Sequence, residues 1–133
     1  MLEIQIPGRE KSLRIKSVVL DYNGTIARDG QLLGTAAERI QALCGCVDVY
    51  VLTADTYGNV EQQCRELGEG VCAVGNGFND IQMFDAAELA IAVMEKESVC
   101  AGLLPHADVL VAAPEDALDL LLKPDRLRAT LRN

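Results

Sequence analysis

Apolar, β-prone runs recur along this chain at 18–20, 47–52, 71–74, 89–93 and 109–112, and a helical pattern lies in each interval between them. The first run, Val18-Val19-Leu20, is unbroken rather than alternating, the mark of a strand buried on both faces of a parallel sheet. Strands that alternate with helices pack as a parallel sheet with right-handed crossovers and helices on both faces. The expected class is therefore α/β, a doubly wound three-layer sheet. Its strands, counted from Val18, can pair in the order 2-1-3-4-5, which reverses direction between strands 1 and 3. With 133 residues there is room for one core, so 1–133 reads as a single domain without linker or repeat.

Local signals fill in this frame. Thr35 can cap a helix whose apolar positions Ala36, Ile40 and Leu43 share a face, with Gly45 as its stop. Further helices are expected at 59–67, ended by Gly68, and at 79–87, 98–104, 114–122 with Pro114 in its first turn, and 125–131. Before the first core strand, residues 2–6 and 13–15 alternate around Pro7-Gly8, which predicts an N-terminal hairpin over 1–16. Just after it, Asp29-Gly30 predicts a tight turn and a small flap over 26–33.

Charge narrows the function classes. The net charge is −8, yet both ends are basic, and residues 18–122 hold only Arg28, Arg39, Arg65 and Lys96 against 17 acidic groups. Nucleic acid is excluded as a partner for that stretch; clustered carboxylates suit either a divalent cation or a solvated acidic surface. No apolar run reaches the roughly 18 residues that a membrane span needs, and MLEIQIPGRE carries charge where a signal peptide is apolar, so a cytoplasmic location is expected. Five cysteines without a CxxC pair, and one histidine, His106, argue against a disulfide scaffold or structural zinc. They are read as small, buried, reduced residues, with Cys44-Gly45-Cys46 the one cluster suited to redox chemistry.

In doubly wound sheets ligands bind beyond the carboxyl ends of the strands. Polar clusters stand at three successive strand ends: Asp21-Tyr22-Asn23-Gly24-Thr25, Thr53-Ala54-Asp55, and Gly75-Asn76-Gly77-Phe78-Asn79-Asp80. Tyr22 and Phe78 read as packed aromatics, and His106 as a loop or capping residue.

These clusters, DYNGT, VLTAD and GNGFND, resemble the first, second and fourth motifs of the haloacid-dehalogenase (HAD) superfamily of phosphotransferases. The match continues through AELAIAV, HADVLV and EDALDLLLKPDRLRATLR, so that the chain from Val18 onward is similar to the soluble relatives of the P-type ATPase phosphorylation domain. The resemblance implies that Asp21 is a nucleophile forming an aspartyl-phosphate. It implies a Mg2+ ion held by Asp21, the carbonyl of Asn23, Asp80 and Asn76, the last either as a ligand or through a metal-bound water. It further implies phosphate binding by Gly24, Thr25, Thr53 and Ala54, through the Thr53 hydroxyl and backbone amides that include that of Asn23. All are hard oxygen or amide groups suited to an anionic substrate and a hard cation.

Three departures qualify that likeness. Asn23 replaces the aspartate that protonates the leaving group, and an amide cannot exchange a proton. Asn76 replaces a carboxylate. The third-motif cation has one candidate, Arg65, between Thr53 and Gly75, where its alternative role is a surface cation near Glu61 and Glu69. That interval is short, so the chain is expected to lack an edge strand, and neither usual insertion point has room for a cap domain. Two readings stay open: a slow Mg-dependent phosphohydrolase or phosphotransferase acting on a small or macromolecular phosphorylated substrate, its open site closed by a second copy; or a catalytically impaired phosphate- and metal-binding regulatory module.

Overall fold

The computed structural model describes residues 1–53 and 60–133, and only the backbone of residues 60 and 61. Strand β1 (Leu2–Ile4) pairs antiparallel with β2 (Leu13–Ile15). Strand β3 (Ser17–Asp21) leads into a two-strand flap, β4 (Ala27–Arg28) and β5 (Gln31–Leu32), and then helix α1 (Gly34–Leu43). Next come β6 (Asp48–Leu52), α2 (Val60–Glu66), β7 (Val71–Gly75), a tight turn at Phe78–Asp80, α3 (Ile81–Ala86) and β8 (Leu89–Val93). A second tight helix at Ala101–His106 precedes β9 (Val109–Val111), α4 (Pro114–Leu122) and α5 (Pro124–Leu131).

The central sheet is parallel, in the order β6-β3-β7-β8-β9. Counted from β3 this is 2-1-3-4-5, as the sequence predicts. Leu20 faces Val51 on one side and Val74 on the other, so β3 is central and every residue in it is buried. Side chains alternate between faces. Val18, Leu20, Cys72, Val74, Leu89, Ile91 and Val93 join α1, α4 and the N-terminal hairpin in one core. Val19, Val71, Ala73, Ala90 and Ala92 meet Cys64, Met83, Phe84 and Leu103 in the other. Alanines on that second face let short elements approach closely, which is why α2, α3 and the tight helix at Ala101–His106, none longer than seven residues, suffice to cover it.

The two ends of the sheet differ. At the amino end, Lys16 and Ser17 both donate backbone N–H groups to the Gly70 carbonyl, and the hairpin's Ile4, Ile6, Leu13 and Ile15 are buried. The basic tail docks there: Arg128 Nε donates to the Gln5 carbonyl at 3.1 Å, and the Asn133 N–H to that of Pro7. Asp119 of α4 bridges Arg39 at 3.0 Å and Arg126 at 3.6 Å, tying α1 and α5 to one buried carboxylate. The carboxyl end carries the flap, whose Asp29-Gly30 turn has positive φ at both residues, as a tight hairpin of the right twist requires.

Several local expectations change. Leu33, not Thr35, precedes the first turn of α1: its N–H is spent on Ile26 of the flap and its backbone is extended, so the helix starts two residues early. The expected helix at 98–104 begins only at Ala101, because Ser98, at φ 77°, closes a turn with Glu95 first. Phe78 is 70% exposed rather than packed. Cys44 and Cys46 are exposed rather than buried, since Leu43 and Val47 take the inward positions of that turn. The predicted helix start at Asn59 lies outside the described residues. Strand β6 forms an edge of the sheet and leaves Tyr50 and Val51 exposed beside α2.

Candidate active site

Asp21 is the last residue of the central strand and is buried. The chain turns sharply after it: the Tyr22 N–H donates to the Leu52 carbonyl of β6, and the N–H groups of Thr25, Ile26 and Ala27 all converge on the Tyr22 carbonyl. Gly24 makes the turn possible, having φ 76° and lying directly against the Asn76 side-chain amide, where a Cβ has no room. Tyr22 packs against the core and donates its hydroxyl to the Gly30 carbonyl at 3.1 Å, which braces the flap.

On one side of Asp21, Thr53 follows β6 and is exposed. On the other, Asp80 is fully buried and accepts the backbone N–H groups of Asn76 and Gly77 on one oxygen, Oδ2, each at 2.9 Å. A Cβ on Gly75 would strike that carboxylate, so this glycine is required by close approach. Asn76 is a hub: its side-chain Nδ2 donates to the Ser98 carbonyl at 3.2 Å, its carbonyl accepts from the Cys100 N–H at 2.7 Å, and its Oδ1 accepts from the Thr25 hydroxyl at 3.4 Å.

No family model matches the chain. It is 40% identical over 63 residues, 47% of its length, to an uncharacterized protein of Methanocaldococcus jannaschii, MJ0073, and spans 68% of that protein. A second uncharacterized protein of the same organism, MJ0072, is 44% identical over 39 residues, 29% of this chain and 89% of that protein. The chain belongs to the family of these two archaeal proteins. Among solved structures it resembles a cobalt-bound deoxy-D-mannose-octulosonate 8-phosphate phosphatase from Haemophilus influenzae (TM-score 0.71, 17% identity, 90% of this chain and 94% of that one). It also resembles the Moraxella catarrhalis 3-deoxy-D-manno-octulosonate 8-phosphate phosphatase solved with magnesium, phosphate and KDO (TM-score 0.69, 16% identity, 90% and 95%). The same fold is seen in a putative HAD family hydrolase from Streptomyces avermitilis (TM-score 0.64, 22% identity, 91% of each chain).

Within this HAD fold, Asp21, Asn23, Thr53, Asn76 and Asp80 stand at the carboxyl ends of three adjacent strands, as the strand-order reversal requires. Two residues named for phosphate binding are engaged elsewhere. Thr25 is wholly buried with its hydroxyl on Asn76, and the Gly24 N–H donates to the Ala27 carbonyl at 3.0 Å. Both hold the loop's shape. Ala54 lies outside the described residues. Arg65 is not brought to the cluster: it occupies the last turn of α2, beside Gly68, Glu69 and Asp85, and the chain from there enters the amino end of β7, the far end of the sheet from Asp21. His106 pairs with Asp85 at 2.7 Å, also away from the site.

A divalent metal fits the donors present. Asp21 and Asp80 supply two buried carboxylates and Asn23 a carbonyl, a hard, partial set of the kind Mg2+ accepts while keeping water ligands. Among the described residues no group of three or more His, Cys, Asp or Glu gathers, so the site carries fewer negative charges than a carboxylate at 76 would give it. Asn76, with both ends of its amide engaged, links the first-motif loop to the loop after β8.

That last loop was missed at the sequence level. Arg28 of the flap pairs with Glu95 through Nε, at 2.7 Å, and Nη2, and Glu95 also accepts the Lys96 N–H at 2.6 Å. Burial pushes the Glu95 carboxyl up, but the Arg28 hydrogen bond, the Lys96 amide and the charges of both hold it below its usual range. The signal was available: the rule that ligands gather past strand ends applies equally to the fourth strand, which is followed by Met94-Glu95-Lys96. Among the described residues no helix is long and apolar enough to cross a membrane.

Proposed function

We propose that this protein is a magnesium-dependent phosphohydrolase or phosphotransferase that acts on a phosphorylated substrate through an aspartyl-phosphate on Asp21. The observation that supports it best is the position of Asp21: a buried carboxylate at the carboxyl end of the central strand, with Thr53 at the end of one neighbouring strand and the Asn76–Asp80 turn at the end of the other. Asp21, Asp80 and the Asn23 carbonyl would hold a Mg2+ ion, which would supply charge neutralisation between the two anions. A carboxylate oxygen of Asp21 attacks phosphorus, the bond to the leaving oxygen breaks, and that oxygen takes a proton from water. Water then attacks the phosphorus of the aspartyl-phosphate, releasing phosphate and restoring the carboxylate. The Thr53 hydroxyl donates to a phosphoryl oxygen. Asn23 holds the loop but moves no proton, so the intermediate is long-lived.

The narrower kinship with soluble relatives of the P-type ATPase phosphorylation domain rests on the run of motifs from DYNGT to the C-terminal helices. We read the protein as cytoplasmic, with the open site closed by a second copy or by a large substrate. A binding module is the second reading, favoured by the two amides at 23 and 76. Mass spectrometry after incubation with acetyl phosphate and magnesium decides between them: a phosphoryl gain that disappears in Asp21→Asn supports catalysis, whereas magnesium-dependent phosphate binding without any gain supports the module.

A further inference from the structure

A dianionic phosphoryl group facing a buried carboxylate needs positive charge beyond one metal ion, and the topology says where it can come from. Only groups at the carboxyl end of the sheet can reach Asp21. Lys16 immediately precedes β3, Arg65 leads into the start of β7, and the basic tail docks on the N-terminal hairpin, so all of these belong to the amino end. Arg39 is committed to Asp119 and to the Thr35 carbonyl. Among the described residues, the cations at the carboxyl end are Arg28 and Lys96.

These two are not equivalent. Arg28 is neutralised by Glu95 through two guanidinium nitrogens. Lys96 is exposed, and none of the ion pairs among the described residues includes its ammonium. Its backbone is nonetheless fixed: its N–H is held by the Glu95 carboxylate, and two residues on, the Ser98 carbonyl takes the Asn76 amide, followed by the Cys100 N–H on the Asn76 carbonyl. The loop bearing Lys96 is thus laced to the fourth-motif residue that borders the Asp21 turn. A flexible, strongly hydrated ammonium on a rigid base suits a transferred phosphoryl group.

We propose that Lys96 is the cation that contacts the phosphoryl oxygens, in place of a lysine or arginine between the second and fourth motifs. This rests on the phosphoryl-transfer reading of the site and adds the residue that binds the anion. Lys96 stays protonated throughout, forms no covalent bond, and shares the developing charge with the metal. Glu95 serves two ends: it pins Arg28 and so keeps the flap's charge from competing, and it orients the start of the Lys96 loop.

The test compares the parent protein with Lys96→Met, Lys96→Arg and Arg65→Met, reading two quantities in the presence of magnesium: the rate of phosphoryl gain on Asp21 from acetyl phosphate, and the affinity for inorganic phosphate by calorimetry. Lys96→Met is expected to slow labelling about 10²-fold and to weaken phosphate binding about tenfold, with an unchanged thermal midpoint because the side chain is exposed. Lys96→Arg is expected to recover most of the binding, which a merely structural role would not produce. Parent-like labelling and binding in Lys96→Met overturn the proposal, as does a loss in Arg65→Met that is absent from Lys96→Met. A parent protein that binds phosphate but is never labelled overturns the catalytic reading alone, and the binding comparison then decides Lys96. A parent protein that neither binds nor is labelled overturns both.

Discussion

Asn23 stands two residues beyond Asp21 on the turn that Tyr22 organises, with its side chain exposed at the site. If its amide is what limits turnover, restoring a proton-exchanging group at this position should accelerate hydrolysis. Asn23→Asp is expected to raise phosphate release by about 10²-fold or more, the ordinary worth of a positioned general acid or base. Unchanged release with intact Asp21 labelling would place the slow step elsewhere. Gly24 tests the neighbouring residue. Its positive φ and its contact with Asn76 leave no place for a methyl group, so Gly24→Ala is expected to cost about 1–3 kcal/mol in a denaturant melt and to remove labelling by displacing the Asn76 hub.

Asp29-Gly30 announces the flap in the sequence, but what anchors it lies 67 residues away. Its two short strands contribute two paired positions, and the Arg28–Glu95 contact anchors it against the end of β8. Because Arg28 and the Lys96 amide hold the folded Glu95 carboxyl below its ordinary 4.5, the tether contributes fully above that pH and is lost as pH falls through the depressed folded value. The protection of the amides of residues 27–32 against hydrogen exchange, relative to the intrinsic rate at each pH, is therefore expected to stay high at neutral pH and to fall in acid below pH 4.5. Glu95→Gln should make the same amides exchange quickly at pH 7. Exchange in that variant indistinguishable from the parent would mean that the Tyr22 hydroxyl and the hairpin alone hold the flap.

At the scale of the whole molecule, burial divides the cysteines, one buried thiol lying on each face of the sheet. Cys64 and Cys72 lie inside, and desolvation pushes both thiols up, Cys72 with a further push from the charge of Asp108. Cys44 and Cys46 sit outside on the turn between α1 and β6. Iodoacetamide at pH 8 is expected to modify Cys44 and Cys46 quickly in the native protein and Cys64 and Cys72 only on unfolding, as peptide mass mapping would report. Native modification of Cys72 would contradict a closed core on the α1 and α4 face.

The order of strands and helices, the sheet order 2-1-3-4-5 and the placing of Asp21, Thr53 and Asp80 at strand ends were determined by the sequence, because they follow from local periodicity and one topological rule. The positions of the helix starts, by contrast, depended on contacts beyond the helix itself: the Leu33 amide is drawn to Ile26, and Ser98 closes a turn with Glu95. Tertiary structure also decided what Asn76 and Thr25 do, since the Asn76 amide and the Thr25 hydroxyl found each other across 51 residues. It left Arg65 towards the amino end of the sheet and Lys96 at the carboxyl end, the end that carries Asp21. A charge's distance along the chain says nothing of which end of a sheet it reaches; the direction of the strand or helix that leads to it does.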